Sequence, residues 1–144
     1  MIAVDTNLLV YSHRPEMPRH ERAREILGSL AGGTARWAIP WPCVHEFYAV
    51  VTNARIFKTP ATPAQAIAFV DALAGSESLR LIGEGLGHLK RLGDLAKSAG
   101  VTGGGIHDAR IAALCLEHGI RELWTADRDF SRFPTLKVAN PLVG

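Results

Sequence analysis

Short apolar segments alternate with helix-period segments along the whole chain, and this alternation limits the possible folds more than any other feature. Residues 2–4 (IAV), 35–40 (ARWAIP), 79–83 (LRLIG), 122–126 (ELWTA) and 136–140 (LKVAN) read as short buried strands, the second closed by Pro40. The stretches between them have helical spacing. Residues 17–33 carry Ala23, Ile26, Leu27 and Leu30 on one face and stop at Gly32-Gly33. Residues 41–57 form an apolar helix with Pro42 near its first turn, and residues 63–75 a helix opened by Pro63. Residues 86–100 are amphipathic and end at Gly100. Residues 106–120 place Ile106, Ile111, Ala112, Leu114 and Cys115 inward and stop at Gly119, and the preceding Val-Thr-Gly-Gly-Gly is expected to be a mobile rim loop. Strands alternating with helices imply a central parallel sheet with right-handed connections and helices on both faces. The expected architecture is three-layer α/β/α in a single domain, 1–144.

Ligands of an open parallel sheet bind at the carboxyl ends of its strands. Asp5 ends the first strand, Asp127 follows the strand ELWT, Asp108 opens the helix after the glycines, and Glu46 lies early in the helix after strand two. All four acids can reach one edge. Each also has a plainer reading. Asp5 can cap the next helix, Asp108 can favour a helix N-terminus through its dipole, and Asp127 can be a turn residue. Glu46 can be an ordinary solvated side chain, although its neighbours in PWPCVHEFYAVV are apolar and would make an unpaired carboxylate costly. Glu21, Glu25, Asp94, Glu117 and Glu122 read as solvated residues.

Four convergent carboxylates repel one another, and a divalent cation relieves that repulsion. Oxygen-only ligands favour Mg²⁺ or Mn²⁺ over zinc. Such ions activate water and neutralise charge on a phosphodiester under in-line attack, so the chemistry suggested is metal-dependent phosphodiester hydrolysis.

In order, VDTNLLVY, EF in the helix after strand two, HDARIAA and WTADRDF closely resemble PIN-domain ribonucleases, above all the VapC toxins of bacterial toxin–antitoxin pairs. The resemblance runs from Ile2 to the VANP near the end. It implies a PIN-like α/β/α fold, Mg²⁺- or Mn²⁺-dependent endoribonuclease activity leaving 5′-phosphate and 3′-hydroxyl ends, and inhibition by a small cognate antitoxin. By motif, Asp5, Glu46, Asp108 and Asp127 would form the acidic metal site. Thr6, Asn7 and Thr125 would support it, with Asp129 as a possible accessory. The alternative is a catalytically inactive PIN-like module that binds RNA or protein.

His107, beside Asp108, is a candidate general base, although a metal site needs none; His45 is a weaker one. The TGGG segment lacks the Lys-Ser/Thr of a phosphate-binding P-loop. Trp41, Arg14, Lys58, Arg110, Arg128 and Arg132 are candidates for stacking on RNA or for phosphate contact, with a core or solvated-surface role as the plainer reading of each.

The net charge is only +2, from 16 basic and 14 acidic residues, but gathering four acids in one pocket leaves a basic remainder suited to nucleic acid. No apolar run is long enough to span a bilayer, and the first strand starts too close to Met1 for a targeting segment. Cys43 and Cys115 lie in apolar surroundings without metal-binding spacing, as buried thiols of a reducing cytoplasm do. The apolar stretches FYAVV and AIAFVDALA point to a homodimer or antitoxin surface.

Overall fold

Five strands form one sheet in which every pairing is parallel: β1 (Ile2–Val4), β2 (Trp37–Pro40), β3 (Leu79–Ile82), β4 (Glu122–Trp124) and β5 (Lys137–Ala139). The computed structural model describes residues 1–143; Gly144, the last residue of the expected domain, lies outside them. Six helices connect the strands: α1 (Thr6–His13), α2 (His20–Gly32), α3 (Trp41–Val51), α4 (Pro63–Ala74), α5 (His88–Ala99) and α6 (Ile106–Glu117). The spatial order is β3-β2-β1-β4-β5. The chain therefore steps one way from β1 to β3, then crosses back over β1 to reach β4. Right-handed crossovers then put α1–α4 on one face and α5–α6 on the other, the expected three layers. The same reversal opens a crevice beyond the carboxyl ends of β1 and β4.

The central strands are covered on both sides. Ala3, Val4, Trp37, Ala38 and Leu123 have no exposed surface, which is why these segments read as apolar runs rather than alternating patterns. Trp37 can be buried because its indole N–H donates to Ser78 Oγ at 3.1 Å.

Several local expectations change. Helix α2 begins at His20, three residues later than its apolar spacing suggests. Pro18 disfavours helical backbone at Met17, and the chain instead makes two successive turns, Met17 N–H to Arg14 O and His20 N–H to Met17 O. Helix α3 stops at Val51 instead of running to Phe57. There the Thr52 hydroxyl donates to the Tyr48 carbonyl at 2.7 Å, and Asn53 Oδ1 accepts the Arg55 N–H at 2.9 Å, a side-chain turn that competes with helix. Gly103–Gly105 form a 3₁₀ turn running directly into α6. Ile106 is exposed, not inward, because it precedes the buried run that starts at Ala109. Glu117 is paired with His88 at 2.7 Å across α5 and α6 and is not solvated.

Arg14 is buried and unavailable to RNA. Its guanidinium lies 4.3 Å from the centre of the Phe57 ring and donates to Glu16 and to the Thr59 carbonyl, so it ties the 53–61 loop to the end of α1. Helix α4 is fixed at its start by a reciprocal Thr62–Gln65 capping box, yet Ala66 is its one fully buried residue and Ile67 is open to solvent.

Candidate active site

The first acid is set by the end of β1. Asp5 N–H donates to the Trp124 carbonyl at 3.0 Å, continuing the β1–β4 ladder one step past the end of β1. Its side chain is only 4 % exposed. Oδ1 accepts the Thr6 N–H at 2.8 Å, capping α1, and the Cys43 thiol at 3.4 Å. Oδ2 accepts the Thr125 hydroxyl at 2.7 Å. Capping and a place on the pocket wall therefore coexist in one side chain.

Thr125 uses its hydroxyl fully. It donates to Asp5 and accepts from Asn7 Nδ2 at 3.1 Å and from the Asp127 N–H at 3.0 Å, one donor and two acceptors all satisfied. Asn7 Oδ1 also takes the Ala126 N–H at 3.1 Å. Asn7 and Thr125 thus clamp the chain after β4 against the start of α1, and so set the position of Asp127 relative to Asp5.

The remaining acids arrive from other elements. Glu46, on α3, is exposed, so the burial cost suggested by its apolar neighbours does not arise: those residues point to the core and Glu46 points out. Thr6 donates to its Oε2 at 3.1 Å. Asp108, in the first turn of α6, is half-buried and accepts from Arg132 at 3.3 Å. Asp127 caps the 3₁₀ turn Arg128–Arg132 by accepting the Asp129 N–H at 2.8 Å. That turn brings Asp129 round, so that Asp108, Asp127 and Asp129 offer carboxylate oxygens within 4.8 Å of one another. Asp5 and Glu46 stand outside this triad but share a cavity with two of its members.

That cavity has a volume of about 330 Å³. Asp5, Thr6, Asn7, Glu46, Asp108 and Asp127 form its polar wall, and Val10, Tyr11, Met17, Val50, Ile56 and Phe57 its apolar wall. Thr125 lies buried behind Asp5. Exposed His107 lines an adjoining cavity together with His45.

The electrostatics fit a missing positive charge. Burial pushes the Asp5 carboxyl above its ordinary range, against the opposing hydrogen bonds from Thr125, Thr6 and Cys43. Asp108 is also raised, first by desolvation and then by the neighbouring Asp127 charge, with Arg132 offsetting part of it. Acidic oxygens gathered in this way suit a hard divalent cation.

Two contributors escaped the sequence reading. Cys43 lies on the buried face of α3, and burial raises its thiol far enough to keep the S–H that Asp5 accepts. Arg132 neutralises Asp108 from 24 residues away, a pairing with no local signature.

The family model for the PIN domain matches residues 2–136. The chain belongs to the PIN-domain family. As a PIN domain it is 36 % identical over 144 residues to VapC ribonuclease Mb2897 of Mycobacterium bovis and to ribonuclease VapC43 of Mycobacterium tuberculosis, covering 100 % of this chain and 97 % of each relative. Ribonuclease VapC31 of Mycobacterium tuberculosis is 31 % identical over 141 residues, 98 % of this chain and 99 % of the relative. Among solved structures, VapBC2 from Rickettsia felis, bound to a promoter DNA fragment, superposes with a TM-score of 0.69 at 22 % identity, over 97 % of this chain and 98 % of that one. The sarcin–ricin loop cleaving toxin VapC20 of Mycobacterium tuberculosis does so at 0.67 and 18 %, over 91 % and 93 %. These likenesses carry the PIN-like α/β/α fold.

Proposed function

We propose that this PIN domain is a divalent-metal-dependent endoribonuclease and the toxin of a toxin–antitoxin pair. The observation that carries the reading is the meeting of Asp5, Glu46, Asp108 and Asp127 on one cavity wall, in a chain similar along its whole length to VapC ribonucleases. These four acids, with Asp129 beside Asp108 and Asp127, are the residues that would hold Mg²⁺ or Mn²⁺. A bound divalent ion supplies an activated water and charge neutralisation at a phosphodiester. The chain's own residues prepare that chemistry. Thr125 and the Thr6 N–H fix both oxygens of Asp5, Thr6 Oγ1 orients Glu46, and Asn7 holds the 125–126 backbone in register.

A small antitoxin is the proposed partner, supported by the VapBC complexes among the structural neighbours. A homodimer is also proposed, since Ile67 is more than half exposed on α4, a largely apolar helix that fully buries only Ala66. Residues 1–144 are read as one nuclease domain. No helix among the described residues is long and apolar enough to cross a membrane, and both cysteines are free and buried, in keeping with a place in the cytoplasm.

Purified protein incubated with total RNA in Mn²⁺ is the test, run beside Asp5→Asn and an EDTA control. Discrete fragments that vanish in both controls are expected. Cleavage that persists in Asp5→Asn would overturn the site, and no cleavage by folded, antitoxin-free protein would overturn the activity.

A further inference from the structure

We propose that Trp41, stacked on His45 and seated on Gly83, is a shelf for one unpaired RNA base next to the acidic cavity. The inference rests on the ribonuclease reading of that cavity.

The seat is built by strand register. Pro40 pairs with Ile82, so Trp41 and Gly83 leave β2 and β3 side by side at the carboxyl edge of the sheet. A Cβ at position 83 would stand 3.3 Å from the Trp41 Cδ1, so the indole rests on bare backbone there. The Gly83 carbonyl is in turn bonded to His118 Nε2 at 2.8 Å, which anchors the seat to the end of α6. Trp41 is nevertheless 41 % exposed, unlike the fully buried Trp37. One turn along α3, the exposed His45 ring stacks on it, with centroids 6.1 Å apart and planes 29° apart. Two aromatic rings held nearly parallel at a surface present a π-face and forgo the burial that large apolar groups ordinarily gain.

The shelf adjoins a second cavity of about 560 Å³, lined by Pro42, His45, Ala49, His107 and Arg110. Glu46 and Asp108 also line it, so the two cavities share these acids as a common wall. Its other polar groups are imidazoles and a guanidinium, and Arg110 is held in place by an ion pair with Glu84. A strand whose phosphate lies at the acids would therefore place an adjoining nucleotide over His45 and Trp41, with Arg110 within reach of its backbone. Stacking on an aromatic ring is tolerant of base identity but requires a base whose face is free. Duplex bases are covered on both faces.

The test is fluorescence anisotropy of metal-free protein with labelled single-stranded oligo(A), an abasic ribose-phosphate oligomer of equal length, and an RNA duplex. Wild type is expected to prefer oligo(A). Trp41→Ala should weaken oligo(A) binding roughly 5- to 150-fold, the range for losing one stacked base, and leave the abasic oligomer unaffected. Trp41→Phe, which keeps a ring, should recover most of the loss and guards against a folding defect. In the metal-loaded cleavage assay the Trp41→Ala loss should fall on KM, with kcat retained. Equal oligo(A) affinity in wild type and Trp41→Ala, or equal weakening of the abasic oligomer, would overturn the shelf. Wild type that shows the Trp41-dependent preference but cleaves no RNA would retain the shelf and refute the ribonuclease reading instead.

Discussion

Replacing Thr125 with Val is the most informative perturbation of the acidic site. The exchange keeps the shape and removes a hydroxyl that is 1 % exposed and engaged in three hydrogen bonds. The bond to the Asp5 carboxylate is charge-assisted, worth about 1.5–3 kcal/mol, and the two accepted bonds are worth about 1 kcal/mol each. They share one oxygen and do not add fully, and the new methyl recovers some burial. A net loss of about 3 kcal/mol is expected, which for a chain of this length lowers the melting midpoint by about 10 °C. The Thr125 hydroxyl is also the largest influence holding the Asp5 carboxyl down. Its removal should move the acid limb of the pH–activity profile upward. Urea unfolding and the pH profile of RNA cleavage measure the two effects. Thr125→Ser, which keeps the hydroxyl, should retain most of both. A Val variant within about 0.5 kcal/mol of wild type, with an unmoved profile, would refute the account of Thr125 as the joint between Asp5, Asn7 and Asp127.

Asp5 and Asp108 are both raised above 3.8 in the metal-free fold, so the native state keeps protons that the unfolded chain has released. Their contribution to stability is therefore lost as pH climbs from that value through the raised ones; Glu16, lowered first by Arg14, and Glu84, lowered first by its own backbone N–H and then by Arg110, pull the opposite way. The Asp5 share is isolated by comparing wild type with Asp5→Asn: the wild type should lose ground to the variant as pH rises, and added Mn²⁺ should reverse the order. A wild type that gains on the variant without metal would contradict the sign. Arg132→Met removes the cation that competes for Asp108. It should tighten Mn²⁺ binding in calorimetry by roughly 2- to 5-fold, the scale of a partly exposed ion pair; weaker binding would mean that the guanidinium supports the metal ligands rather than competing with them.

The alternation of apolar segments and helical periods was enough to place all five strands; the central ones, covered on both sides, have no polar face to blur the signal, and the edge strands β3 and β5 stayed legible although Arg80 and Lys137 face solvent. Boundaries were harder where side chains settle them. The end of α3 depends on Thr52 and Asn53 bonding to nearby backbone, while the apolar pattern continues to a buried Phe57. The acids at strand ends were legible for the same topological reason as the fold. Their supports were legible only in part: Thr6 and Asn7 adjoin Asp5 in the chain, whereas Cys43 and Arg132 reach Asp5 and Asp108 through space. Arg14 and Glu46 show the opposite error. Charge alone suggested a surface arginine and apolar neighbours a sheltered glutamate, and the local turn and helix face put each the other way round.

The position of β1 between β2 and β4 has a consequence for synthesis. Asp5 leaves the ribosome 120 residues ahead of Thr125, which with Asp127 completes its surroundings. Until β4 has emerged the first strand has one neighbour, and the oxygen that Thr125 would engage has no partner on that side. A nascent chain therefore carries an unassembled centre until β4 has emerged. On the proposed reading of the site, cleaving capacity arrives only once β4 is in place, and a partly made copy is inert.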